Sequence, residues 1–241
     1  MSGWDYPRVI VHRCGGALAP ENTLAGLRIA ARLRCRAVEF DVMLSGDGVP
    51  VLIHDETLER TTDGHGRVAA TDLAALRRLD AGSRHGAAFR GEPLPTLDEA
   101  IAACEQLGLA ANIEIKPAAG FEAATGDTVG RLVAARRARP IAPLLSSFCE
   151  ASLAAAAAAA PDLPRALLVD AIPADWLQRL QRHGALAIHC AARAVDRGLV
   201  AAAVAAGYRV ACYTVDEPAQ AESLFGAGVA AIFTDRPDRF A

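Results

Sequence analysis

Short β-branched or apolar runs alternate with helical stretches rich in alanine, leucine and arginine from end to end. This rhythm limits the fold more than any other feature. Such alternation builds βαβ units around a parallel sheet. Strands are expected to end near His12, Asp41, Lys116, Ser147, Asp170, Cys190, Thr214 and Thr234. Helices are expected at about 23–34, 97–107, 123–138, 150–160, 174–183, 196–206 and 217–226. Asn22 or Thr23 stands as the N-cap of the first helix, and Gly108, Gly184 and Gly207 close later ones. Eight strand–helix units predict an α/β fold of the (β/α)8 TIM-barrel type, with a doubly wound open sheet as the alternative. With 241 residues, 52% of them apolar, the chain suits a single barrel domain spanning 1–241.

The interval 42–95 departs from the rhythm, being too long for one crossover helix. Leu44-Ser-Gly-Asp-Gly48 followed by Val49 to His54 predicts a β-hairpin extending the second strand. Leu58 to Gly64, a short helix around Asp72–Leu79, and the Gly/Pro-rich stretch Gly82 to Pro95 follow. An insertion after a barrel strand sits at the C-terminal face, where chemistry usually occurs. Residues 42–95 are therefore read as an inserted hairpin and cap, not as a separately folding domain.

Net charge is −3 and the arginines are scattered, which argues against a nucleic-acid partner. The start, Met1 to Pro7, has no basic segment followed by an apolar one, so no secretory signal is expected. The longest apolar run, Ala151 to Ala160, is stopped by Pro161 and is too short to span a membrane. Cysteines 14, 35, 104, 149, 190 and 212 make no CxxC pair. Reduced thiols in a cytoplasmic protein without zinc are the expectation. Oligomeric state is not legible in the sequence.

Among 25 basic residues there is one lysine, Lys116. A compact ammonium is not equivalent to a guanidinium. Glu114 stands two residues before it, so on a strand both share a face. Three further strand ends carry polar groups: His12-Arg13, Glu39 with Asp41, and His54-Asp55. Each pair alone also fits a solvated strand end or a turn. Carboxylates aimed into a barrel are costly without a partner, and Glu39, Asp41 and Glu114 would repel one another unless a cation neutralised them. Oxygen-only ligands favour a hard ion, Mg2+ or Ca2+. Arg13 and Lys116 beside such an ion call for an anionic substrate, most simply a phosphate. His12 and His54 then supply proton transfer near neutral pH. The set describes metal-assisted phosphoryl transfer.

The ordered series His12-Arg13, Pro20-Glu-Asn-Thr23, Glu39-Phe-Asp41, Asp47-Gly48, His54-Asp55, Leu58-Glu-Arg-Thr61, Gly91 to Leu97, Asn112-Ile-Glu-Ile-Lys-Pro117, Leu145-Ser-Ser-Phe148, Tyr213-Thr-Val215 and Thr234-Asp235 resembles the glycerophosphodiester phosphodiesterase family, most of all its bacterial cytosolic branch. The resemblance runs from residue 9 to about 237. It implies a (β/α)8 barrel with a small insertion. It also implies metal-dependent hydrolysis of small glycerophosphodiesters, such as glycerophosphocholine or glycerophosphoethanolamine, to sn-glycerol 3-phosphate and an alcohol. Carried over, Glu39, Asp41 and Glu114 become metal ligands. His12 and His54 become the acid–base pair, with His12 cast as base and His54 as acid, and Arg13 and Lys116 become phosphate contacts. A cytosolic setting favours Mg2+, although the ligands also suit Ca2+.

Cys14 departs from the family's glycine after His-Arg, and a Cβ there would introduce strain if the backbone needs a positive φ; Gly15 and Gly16 are expected to absorb the turn. Cys14 is not expected to act as a nucleophile. Asp55 either orients His54 or shapes a turn. Core packing is the default expectation for Phe148, Trp176 and Tyr213, with covering the glycerol as the alternative, and a satisfied strand-end role is expected for His189 ahead of lining the pocket. His65, His85 and His183 fall in loop or surface contexts and carry no role. Two other readings compete: a phospholipase-type phosphodiesterase, and a catalytically impaired barrel that binds phosphorylated ligands.

Overall fold

Alternate residues along the strands enter two separate apolar layers. Val38, Phe40 and Val42 pack with Leu27, Leu97 and Ile101 beneath the helices. Ala37 instead joins Ile10, Ala110, Ala211, Ala231 and Phe233 on the inner side. A sheet buried on both faces is the form taken by parallel strands covered by crossover helices. This computed structural model describes residues 4–136 and 142–240.

Nine strands follow in chain order: β1 (Val9–Val11), β2 (Ala37–Leu44), β3 (Pro50–Leu52), β4 (Ala110–Ile115), β5 (Leu144–Ser147), β6 (Arg165–Val169), β7 (Ala187–Ala191), β8 (Arg209–Tyr213) and β9 (Ala231–Thr234). All but β3 are parallel, in the ring order β1-β2-β4-β5-β6-β7-β8-β9, and the ring closes where β1 meets β2. That seam has a single register pair, Val11 with Val38, whereas β1 meets β9 at three positions. The (β/α)8 expectation holds, and ring closure removes the doubly wound alternative. The expected hairpin is also present. β3 runs antiparallel along the upper part of β2, pairing Val42 with Leu52 and Leu44 with Pro50.

The helices are α1 (Leu24–Arg32), α2 (Leu73–Leu76), α3 (Leu97–Leu107), α4 (Glu122–Ala135), α5 (Glu150–Ala159), α6 (Trp176–His183), α7 (Arg197–Ala205) and α8 (Pro218–Gly226). They agree with the expected ranges to within a few residues, except that the helix around 72–79 shrinks to the single turn α2. Residues 137–138 of the expected fourth helix lie outside the described residues. Thr23, not Asn22, caps α1 by accepting from the Gly26 N–H. A capping box between Thr96 and Glu99 starts α3, and left-handed Gly108 and Gly184 end α3 and α6.

Residues after β3 build a small apolar cluster of their own. Ile53, Leu58, Val68, Leu76 and Leu94 pack on Met43 and Val51 of the hairpin. At the opposite end of the barrel, alanines at the strand starts leave room for Trp4 and Tyr6. The Tyr6 hydroxyl reaches the carbonyls of Ala111 and Ala142 at 3.1 and 2.6 Å. No helix among the described residues is long and apolar enough to cross a membrane.

Candidate active site

Strand register brings the acidic residues together. Asp41 pairs with Glu114 and Glu39 with Asn112 across β2 and β4, so one face of two adjacent strands carries all three carboxylates. Each offers an oxygen within 4.8 Å of the others. One Glu39 oxygen accepts the Arg13 backbone N–H at 3.0 Å, while its Oε1 is buried and has no hydrogen-bond partner among the described residues. Asn22 grips Asp41 twice, its amide donating to Oδ2 at 2.9 Å and its carbonyl oxygen accepting the Asp41 N–H at 3.0 Å.

The cations arrive from two strand ends. Lys116 Nζ lies 3.1 Å from Glu114 and 3.7 Å from Asp41. Arg13 Nε lies 3.7 Å from Asp41, and its Nη1 donates to Glu21 at 3.1 Å. His12 Nδ1 bonds Asp235 at 2.8 Å, and its Nε2 stands 3.9 Å from Glu39. His54 Nδ1 bonds Asp55 at 2.6 Å, so Asp55 contacts this imidazole rather than shaping only a turn. All seven residues singled out from the sequence line one cavity of about 590 Å³ at the C-terminal mouth of the barrel.

Burial, reinforced by the Asp41 charge, pushes Glu39 up to about 8 and Glu114 to about 7. Burial acts on Asp41 in the same sense, but His54, Lys116, Arg13 and the Asn22 amide outweigh it and hold its pKa below the ordinary value. Glu39 and Glu114 therefore retain protons near neutral pH that a divalent cation would displace. Three carboxylates and no sulfur or nitrogen donor suit a hard cation, and the unpartnered Glu39 Oε1 fits the same reading.

The two imidazoles differ. Burial alone would lower His12, yet the Asp235 hydrogen bond and the charges of Glu39 and Asp235 raise it to about 9. His54 is lowered, by burial first and by Arg13 and Lys116, against the pull of Asp41 and Asp55. The Asp55 charge is itself engaged by Arg60, which holds that carboxyl well below its usual range.

Several expectations need correction. His189 is fully buried on the cavity wall, with neither ring nitrogen partnered among the described residues. It is not a satisfied strand-end histidine, and burial pushes it down to about 3. Phe148 is 44% exposed at the cavity rim instead of packed in the core. It stands edge-on to Tyr213 with ring centroids 5.9 Å apart, and Tyr213 also lines the cavity. Trp176 does pack in the outer core. His183 is buried in the last turn of α6 and bonds Glu150 at 2.6 Å, so it is no loop residue. His65 and His85 lie outside the cavity lining.

The turn after β1 also differs from expectation. Arg13 and Cys14 themselves take positive φ, +50° and +74°; of the two glycines expected to absorb the turn, Gly16 does so at +58° and Gly15 does not. Cys14 is accommodated because Gly26 faces it: a Cβ on Gly26 would lie 2.8 Å from the Cys14 Cβ. The thiol is fully buried, and burial pushes its pKa well up, which disfavours the thiolate a nucleophile needs. Cys14→Gly is expected to change stability by less than about 1 kcal/mol, relief of left-handed strain offsetting lost apolar burial. Thermal melting checks this, and turnover should persist; a large activity loss would give the side chain a role it lacks here.

Sequence reasoning gave no site role to Asn22, Glu21, Arg60 or Asp235, although all four stand within quoted motifs. Asp235 is 223 residues from the histidine it bonds, and nothing local announces that pairing.

The chain matches the glycerophosphoryl diester phosphodiesterase family over residues 12–239. It is 34% identical over 235 residues to a glycerophosphodiester phosphodiesterase of Caldanaerobacter subterraneus subsp. tengcongensis, covering 95% of this chain and 94% of that protein. Its structure is similar to that of an Oleispira antarctica phosphodiesterase in complex with the product sn-glycerol-3-phosphate, with a TM-score of 0.94, 40% identity, and coverage of 97% of this chain and 95% of that one. It is also similar to a glycerophosphodiester phosphodiesterase from Agrobacterium tumefaciens, with a TM-score of 0.80, 29% identity, and coverage of 97% of this chain and 98% of that one.

Proposed function

The chain belongs to the glycerophosphoryl diester phosphodiesterase family, and from that premise we propose that it hydrolyses glycerophosphodiesters such as glycerophosphocholine or glycerophosphoethanolamine to sn-glycerol 3-phosphate and the free alcohol. The observation that carries this reading is the meeting of three buried carboxylates, two cations and two imidazoles at one barrel mouth. Burying such a set is costly unless a cation and an anionic substrate complete it. An impaired barrel that only binds ligands would have no need of both imidazoles.

Glu39, Asp41 and Glu114 hold a divalent cation, taken to be Mg2+. When bound, it supplies Lewis-acid neutralisation of phosphoryl charge. Arg13 and Lys116 flank the substrate phosphate and stabilise the charge that grows on it in the transition state. The environments of the two histidines support the reverse of the order expected from sequence. Burial, Arg13 and Lys116 favour the uncharged form of His54, and its carboxylate partner is already engaged by Arg60, which suits a base taking a proton from the attacking water. His12 keeps Asp235 as a partner even when Glu39 is neutralised, which suits an imidazolium donating to the leaving alcohol oxygen. Phe148 and Tyr213 offer an apolar edge for the glycerol carbons. Cysteines that form no disulfide among the described residues support a reducing, cytoplasmic setting. We take 1–241 as one unit with 42–95 inserted in it.

A coupled assay for glycerol 3-phosphate over a panel of headgroups tests the reading. Turnover is expected to vanish in EDTA and to return with Mg2+, and more weakly with Ca2+. Indifference to EDTA would remove the metal. Activity on intact phospholipid with none on water-soluble diesters would favour the phospholipase-type alternative.

A further inference from the structure

We propose that Arg60 is a positioning residue of this active site, one guanidinium from the inserted segment that sets His54 through Asp55 and Arg13 through Glu21. The inference rests on the function proposed above and adds a task for the insertion. Arg60 donates from Nη1 and Nη2 to the two Glu21 oxygens at 2.7 and 2.8 Å. It also donates from Nε and Nη2 to the two Asp55 oxygens at 2.5 and 3.0 Å. Both carboxylates are then used a second time. Asp55 Oδ1 lies 2.6 Å from His54 Nδ1, and the Glu21 oxygens accept from Arg13 at 3.1 and 3.2 Å. The result is an unbroken series, His54–Asp55–Arg60–Glu21–Arg13, joining the hairpin end to the turn after β1.

A planar fork with five fixed donors can give two bonds to each of two carboxylates at once, which an ammonium with three donors cannot. The turn that carries Arg60 is itself fixed. Leu58 is buried in the small cluster of the insertion, and its carbonyl accepts from both the N–H and the hydroxyl of Thr62. The Arg60 side chain is 46% exposed, and ion pairs this exposed contribute little to stability. A purely structural role therefore predicts almost no effect on removal. Positioning predicts a large effect on rate, since small misplacements of reacting groups cost orders of magnitude.

Arg60→Met is expected to lower kcat/KM about 10²-fold, a loss typical of displaced reacting groups, with little change in melting temperature. Arg60→Lys should recover little of it, because an ammonium cannot give two bonds to each carboxylate. Guanidinium added to Arg60→Ala should restore part of the rate, and ammonium should not. The two halves separate kinetically: Glu21→Gln should act mainly on KM through Arg13, and Asp55→Asn mainly on kcat through His54. Adding Arg60→Met to a variant that carries both Glu21→Gln and Asp55→Asn should cost almost nothing more, because the three act as one unit. Should Arg60→Met fail to fold, the Glu21 and Asp55 variants carry the same test. Nitrogen NMR of the histidine rings gives a readout independent of activity, with the ordered His54 tautomer of the wild type giving way to exchange in Arg60→Met. Wild-type kinetics in Arg60→Met, or additive losses in the combined variants, would overturn the proposal while leaving the hydrolase reading intact. A wild type without turnover would sink the hydrolase reading, and the ring spectra would still decide on Arg60.

Discussion

Turnover of a His54→Ala variant is expected to fall about 10²- to 10⁴-fold, the usual contribution of one general acid or base, with divalent-cation affinity nearly unchanged. The two effects separate because His54 reaches the site from the hairpin end, while the carboxylates project from β2 and β4. Among the described residues its hydrogen-bond partner in the site is Asp55. Initial-rate kinetics and calorimetric Mg2+ titration on the same preparation check the two halves. Near-normal turnover would take His54 out of the chemistry, and lost cation binding with lost rate would make it a structural support instead. His12→Ala should lose a similar factor. With His12 as the acid, that loss should shrink on substrates whose leaving alcohol is more acidic.

The second large effect concerns stability without metal. Glu39 and Glu114 are raised to about 8 and about 7 in the fold, against about 4.3 for an unfolded glutamate. A raised carboxyl stabilises the fold in its protonated form, fully so below the unfolded value, and that contribution is lost as pH rises through 7 and 8. His12, raised to about 9, adds a loss of the same sign as it deprotonates. In EDTA the protein should therefore be less stable at pH 9 than at pH 5, by a few kcal/mol as an order of magnitude. Bound Mg2+ should flatten or invert that slope, because the displaced protons make cation affinity climb with pH. Glu39→Gln removes one repelling charge. It should raise the metal-free melting temperature at pH 8 while abolishing cation-dependent turnover. Melting curves from pH 5 to 9, with chelator and with Mg2+, test all three statements, and a flat metal-free profile would mean that the three acids do not share protons as described.

The parts of this site that local pattern controls were readable. Glu39 with Asp41, and Glu114 with Lys116, announce themselves because residues two apart on a strand share a face, and register then does the rest. His54 was readable because a Gly-Asp-Gly turn between apolar runs makes a hairpin, which carries the residue after it back toward the mouth. What was missed depends on partners far away in the chain or on backbone conformation. Asn22 looked like a helix cap, since its type suits that position as well as it suits gripping Asp41. Asp235 meets His12 only because the ring of strands returns β9 to β1. Cys14 adopts the left-handed backbone that glycine would fill more easily, and only the facing Gly26 makes room for it. His183 read as a surface residue because nothing near it in sequence reveals Glu150 on the neighbouring helix.

The thin seam between β1 and β2 has a further meaning. Val11 with Val38 is its one ladder position, and beyond it the two edges are tied by the Arg13 and Cys14 amides, which both reach Glu39. Heat that loosens this margin would carry His12 and Arg13 away from the acidic wall while the other seven staves stay bonded. Inactivation should then come several degrees before global melting, with amide exchange quickening first at residues 9–16. The catalyst would come apart at the joint where its two halves meet, long before the barrel itself gave way.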